Sequence, residues 1–158
     1  MERKTKVHAE DGKQEILITR EFDLPVELLF KAYEDPDIIA QWMGTNVLKH
    51  ESKKHGSYQF ETTDAEGKVA FRANGVIHEF NPPSPRGRII RTFEMENAPF
   101  GVQLEILAFE RLTDDTSKLS IHAIYESVAQ RDQLLQLPFA QGINMAHNRL
   151  QKIVRNLK

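Results

Sequence analysis

Histidines and carboxylates are the side chains of this 158-residue sequence that could move protons or hold metals, and their spacing limits what they can do. The six histidines are His8, His50, His55, His78, His122 and His147. None forms the i, i+4 helical pair that presents two ligands on one face. His50 and His55 stand five apart across an expected turn, a spacing that defines no metal site, and no structural metal is expected. Glu79, Glu94, Glu105 and Glu110 fall in strand-like segments and would make an acid/base couple only if they faced inward. Alternating strand carboxylates more often form a solvated outer face, which is the expectation for these four. The sequence holds no G-x-S-x-G, H-E-x-x-H, phosphate-loop or G-x-G-x-x-G pattern, so nothing in it signals a nucleophile, a bound nucleotide or another cofactor.

Pattern alone separates the remaining histidines. His122 alternates against Leu119, Ile121, Ala123 and Tyr125, which places it outward. His78 alternates with Val76 and Phe80 while Ile77 alternates with Gly75 and Glu79, so parity leaves its facing open. At 3.6 residues per turn His147 lies about 80° from the centre of the last apolar stripe, flanked by Ile143 and Leu150, within reach of a cavity rim. The plainer reading of His147 is a boundary histidine bonded to backbone or water. If the chain is an enzyme, His78 and His147 are the proton-transfer candidates.

Aromatics are spread over nearly every element, and Trp42, Tyr58, Phe60, Phe93, Phe109, Tyr125 and Phe139 would converge if the elements wrap one interior. Core packing accounts for most of them individually.

The elements that must position these residues follow from periodicity. Residues 15–22 carry Ile16, Leu17 and Ile18 after Asp11-Gly12 and read as the first strand. Asp23 and Pro25 start a helix over 25–33, and Asp35-Pro36 caps a second over 36–42. After Gly44 the period becomes two, predicting strands over 47–51, 58–62, 69–80, 88–96, 102–112 and 118–126. The short breaks between them suit antiparallel hairpins rather than parallel crossovers. Ser127-Val128-Ala129-Gln130 has the capping-box form and opens a helix that Pro138 interrupts. From there Phe139, Ile143, Ala146, Leu150, Ile153 and Leu157 recur in steps of four and three, predicting one long amphipathic helix. Arg149, Lys152, Arg155 and Lys158 complement its C-terminal dipole and require no partner.

Composition bounds the class. The length suits one domain, 1–158, with residues 1–14 a polar extension or the start of the first strand. A net charge of −2 gives no basic excess for nucleic acid. The absence of cysteine excludes disulfides and fits a reducing compartment. With no apolar run long enough for a leader or a membrane span, the expectation is a soluble, cytoplasmic protein without membrane insertion. A homodimer is compatible with the sequence but not indicated by it.

Several runs carry a family resemblance. They are Ile18-Thr19-Arg20-Glu21-Phe22-Asp23-Leu24-Pro25-Val26-Glu27-Leu28-Leu29-Phe30-Lys31-Ala32-Tyr33, Asp35-Pro36 with Gln41-Trp42-Met43-Gly44, and Gly56-Ser57-Tyr58. To these add Gly75-Val76-Ile77-His78-Glu79-Phe80, Ile90-Arg91-Thr92-Phe93-Glu94 and Phe139-Ala140-Gln141-Gly142-Ile143-Asn144. In this order, over about residues 15–157, the sequence resembles the Aha1-like (activator of Hsp90 ATPase homologue) branch of the SRPBCC, or START/Bet v 1-like, superfamily.

The resemblance implies an α+β helix-grip fold: a curved antiparallel sheet of six to seven strands around a long C-terminal helix, two short helices closing one end, and a cavity between. Such proteins include hydrophobic-ligand carriers, polyketide cyclases and aromatases, and domains shared with the Hsp90 co-chaperone. Two departures bear on the pocket: Ile143 stands where relatives often have Trp, and Trp42-Met43 where many have Trp-Trp or Trp-Phe. The expected site is a cavity bordered by Trp42, Tyr58, Phe60, Phe93, Phe139, Ile143 and His147, taking a small apolar or amphipathic molecule without catalysis. A cyclase-like enzyme and an Hsp90-type co-chaperone domain are the alternatives.

Overall fold

Strict alternation builds the sheet. In β2 (Glu15–Phe22) the residues Ile16, Ile18, Arg20 and Phe22 are buried, and in β8 (Ser117–Ile124) Ser117, Leu119, Ile121 and Ala123 are. These sets pair directly across the ladder, Ile16 with Ala123 and Ile18 with Ile121, and so share one face. The face continues through β7 (Val102–Arg111) with Glu105, Leu107 and Phe109, and through β6 (Arg86–Met95) with Ile89, Arg91 and Phe93. It is completed by β5 (Val69–Asn81), β4 (Ser57–Thr63) and β3 (Asn46–His50). The structure, a computed structural model, describes residues 3–96 and 98–157.

All neighbours are antiparallel, in the order β1-β2-β8-β7-β6-β5-β4-β3. The eighth strand, one beyond the upper expectation, is β1 (Lys6–His8), which pairs with β2 at the edge. Val7 is its only apolar residue, too little for a strand pattern, and edge pairing rather than burial forms it.

Between β2 and β3 lie α1 (Val26–Glu34) and α2 (Pro36–Met43). The Asp35 carboxylate accepts from the Asp37 amide at 2.9 Å, Pro36 supplies a preset first turn, and Gly44 ends α2 at φ 66°, a left-handed conformation that glycine adopts without steric cost. Ser127 caps α3 (Val128–Leu135) by accepting from the Gln130 amide at 3.2 Å, as the capping box predicts. Arg131 of α3 is buried and donates to the carbonyls of Glu10 and Glu15 at 2.7 and 3.1 Å, tying that helix to the segment before β2.

The final helix, α4 (Phe139–Arg155), lies across the concave face with His147, Leu150 and Val154 fully buried. A polar row fixes its seating. Asn144 Oδ1 accepts the Thr5 amide at 2.9 Å, Asn148 Oδ1 accepts Arg20 Nη1 at 2.8 Å, and Gln151 Oε1 accepts the Asp23 amide at 2.8 Å. The sheet, the two short helices after β2 and the long last helix make this an α+β helix-grip fold. No helix among the described residues is long and apolar enough to cross a membrane. Lys158, the end of the basic run, lies outside the described residues.

Candidate functional site

Sheet curvature and the length of α4 leave a hollow of about 280 Å³ between them. Ile18 and Ile121 contribute from β2 and β8, Phe93 and Met95 from β6, Trp42 and Met43 from α2, and Phe139, Ile143, Ala146 and His147 from α4. The wall is therefore mostly apolar, with its charged groups on β6 and β7.

Those groups arise from the same parity that builds the core. Arg91 shares its face with Ile89 and Phe93, Glu105 shares its face with Leu107 and Phe109, and the two are direct partners in the ladder. Arg91 Nε donates to Glu105 Oε1 at 2.8 Å, and Gln103 Nε2 donates to Glu105 Oε2 at 2.7 Å. The guanidinium carbon lies 5.3 Å from the Tyr58 ring centre and 5.8 Å from that of Tyr33, both within cation–π range. Burial opposes the Arg91 charge, but Tyr58 and Glu105 outweigh it and hold the pKa above the ordinary arginine value. Burial likewise keeps Tyr33 and Tyr125 un-ionised well above the usual phenol range. The Tyr125 hydroxyl is buried with no hydrogen-bond partner among the described residues.

His147 sits deeper than its helical angle implies. It is 1% exposed, edge-on to Phe22 with ring centres 5.6 Å apart, and its Nδ1 is 2.7 Å from Thr5 Oγ1. Thr5 Oγ1 also accepts from Arg20 Nη1 at 3.4 Å, and His147 Nε2 is buried with no hydrogen-bond partner among the described residues. Desolvation, then the charge of Arg20, pushes the His147 pKa down to about 3. The ring is a neutral wall group near pH 7, hydrogen-bonded to the Thr5 side chain.

Five of the seven expected site residues, Trp42, Phe93, Phe139, Ile143 and His147, line the hollow. Tyr58 and Phe60 do not. Tyr58 stands opposite Gly75 in the β4–β5 ladder and donates its hydroxyl to the Thr92 carbonyl, so its ring covers Gly75. Phe60 is spent packing against Tyr58, at 5.0 Å between ring centres, and stacking on His50 at 6.2 Å.

His78 is exposed, beside His55 with ring centres 6.3 Å apart, because a bulge between Ile77 and Glu79 shifts the register and leaves Ile77 inward. Glu105 is likewise not on the solvated face where alternating carboxylates were expected, since its parity is that of Leu107 and Phe109. Glu79, exposed Glu94 and Glu110 are absent from the hollow's wall, and Glu79 pairs with Arg88 at 2.9 Å. His122 is half-exposed and 2.7 Å from Glu15. Arg91 and Gln103 are polar wall groups that attention to His and Glu types passed over; the signal for them was shared parity with Ile89 and Phe93 on β6 and with Leu107 and Phe109 on β7. No cluster of three or more His, Cys, Asp or Glu suited to a metal occurs among the described residues.

A curved antiparallel sheet around one long helix is a fold shared by many solved proteins. A protein from Rhodobacter sphaeroides superposes with a TM-score of 0.83 at 19% identity, over 98% of this chain and 99% of that one. A protein from Mycobacterium smegmatis gives 0.78 at 19% over 98% and 99%, and one from Arthrobacter aurescens 0.81 at 18% over 96% and 91%. At these identities the likeness is one of fold. No curated protein matches the chain by sequence. The profile of the family described as Activator of Hsp90 ATPase homolog 1-like protein matches residues 23–155, and the chain belongs to that family.

Proposed function

We propose that the chain is a binding module for a small apolar or amphipathic molecule held between the sheet and α4. One observation carries the reading: an apolar-walled hollow of about 280 Å³ whose charged groups, Arg91 and Glu105, form one cluster with Gln103. Ligand sites combine such walls with a few placed polar groups at about 300–1,000 Å³, and this hollow stands at the small end, suited to a single ring or a short chain. The cyclase-like alternative loses His78, which is exposed. Its other candidate, His147, has a pKa near 3 and is a weak base near neutrality, where proton transfer favours a group titrating close to the working pH. The family's description refers to the Hsp90 ATPase, and stimulation of a purified chaperone ATPase by the chain would favour that reading instead.

Native mass spectrometry after gentle purification tests the proposal. The expected result is a population heavier than the chain by one small organic molecule, released on denaturation, or such a population after incubation with n-butylbenzene. A chain that stays at its own mass after both treatments would contradict it.

A further inference from the structure

Arg91 uses only part of its hydrogen-bonding capacity. Nε is taken by Glu105, while neither terminal nitrogen has a hydrogen-bond partner among the described residues. The side chain is 11% exposed, and it lines the hollow. Glu105 has both oxygens engaged, one by Arg91 and one by Gln103, so its charge is directed away from a newcomer. Tyr33 and Tyr58 hold the guanidinium plane from their ring faces. A guanidinium presents five donors in a rigid fork that matches a carboxylate in two-point fashion, and one arginine can serve two carboxylates at different edges.

We infer that the molecule bound in this hollow carries a carboxylate, which seats on the free edge of Arg91 while its apolar body lies against Phe93, Ile121, Ile143 and Trp42. The inference deepens the binding reading above and rests on it. A planar acid is favoured over a neutral carbonyl because only the acid can use both terminal nitrogens with opposite charge. A phosphate headgroup is disfavoured by bulk, since the hollow is at the small end of ligand cavities.

The test is a calorimetric titration of the intact chain with three probes of one shape: 4-phenylbutyrate, 4-phenylbutanamide and n-butylbenzene. The acid is expected to bind about 10- to 100-fold more tightly than the amide, the scale of a charge-assisted hydrogen bond. In the double variant Arg91→Gln/Glu105→Gln, which keeps neutral hydrogen bonding between the two positions, that preference should vanish while n-butylbenzene binding persists. Equal binding of acid and amide, or a preference that survives in the folded double variant, overturns the carboxylate inference and leaves the apolar site standing. Binding of none of the three overturns both.

Discussion

Arg91 and Glu105 face each other across the β6–β7 ladder, Nε to Oε1 at 2.8 Å, in a cross-sheet row whose other members are Ile16, Ala123 and Ile77. A charged pair in an apolar row carries a desolvation cost that its mutual attraction offsets only while both partners remain. Arg91→Met alone should therefore destabilise the protein by about 3 kcal/mol, because Glu105 is left charged and enclosed, and Arg91→Met/Glu105→Leu should recover most of that loss. Urea unfolding of the single and double variants checks this. A single variant as stable as the parent would show that the pair is solvated.

His147 supplies a pH dependence of definite sign. Its folded pKa near 3 lies below the ordinary histidine value of about 6.5, so the unfolded chain binds the extra proton first. Stability is then fully present above about pH 6.5 and declines as pH falls toward 3. His50, pushed by burial to about 4, acts in the same window. Replacing His147 with Phe should flatten the acid limb by a few kcal/mol between neutral pH and about pH 4 without removing it. Urea midpoints across that range measure the effect, and an unchanged slope would place His147 in contact with water.

Gly75 carries the Tyr58 ring. A Cβ there would collide with the Thr92 carbonyl and the Tyr58 phenol, and the backbone partner cannot swing aside. Gly75→Ala should cost about 1–3 kcal/mol or more through overpacking. Thermal unfolding with an unchanged midpoint would mean that the sheet yields there freely.

Ile143 lines the hollow from α4. Ile143→Trp adds volume into open space, so stability should change by less than about 1 kcal/mol, in contrast to the overpacking cost of a filled core. Calorimetric binding of n-butylbenzene should weaken at least tenfold. A large destabilisation would mean that no usable space exists beside α4.

Much of the architecture was legible because burial and sequence alternate together: Ile16, Ile18 and Phe22 mark β2, and the four-and-three steps from Phe139 mark α4. The polar floor was less legible because residue type competed with parity. Glu105 was expected among solvated carboxylates, yet Leu107 and Phe109 two and four residues on fix its side chain inward. His78 could not be oriented because a bulge changes the register within its own strand, and no local pattern announces a bulge. Tyr58 was placed at the cavity on size and type, whereas the space above Gly75 claims it.

Methyl NMR of the isotope-labelled chain titrated with n-butylbenzene tests most directly whether the space between sheet and α4 is a binding site. Ile18, Ile121 and Ile143 line the hollow, while Val76 and Val102 are exposed outside it and serve as controls. The expected result is saturable shifts of the three isoleucine methyls with Val76 and Val102 unmoved. Shifts confined to Val76 and Val102, or none at saturating probe, would contradict it.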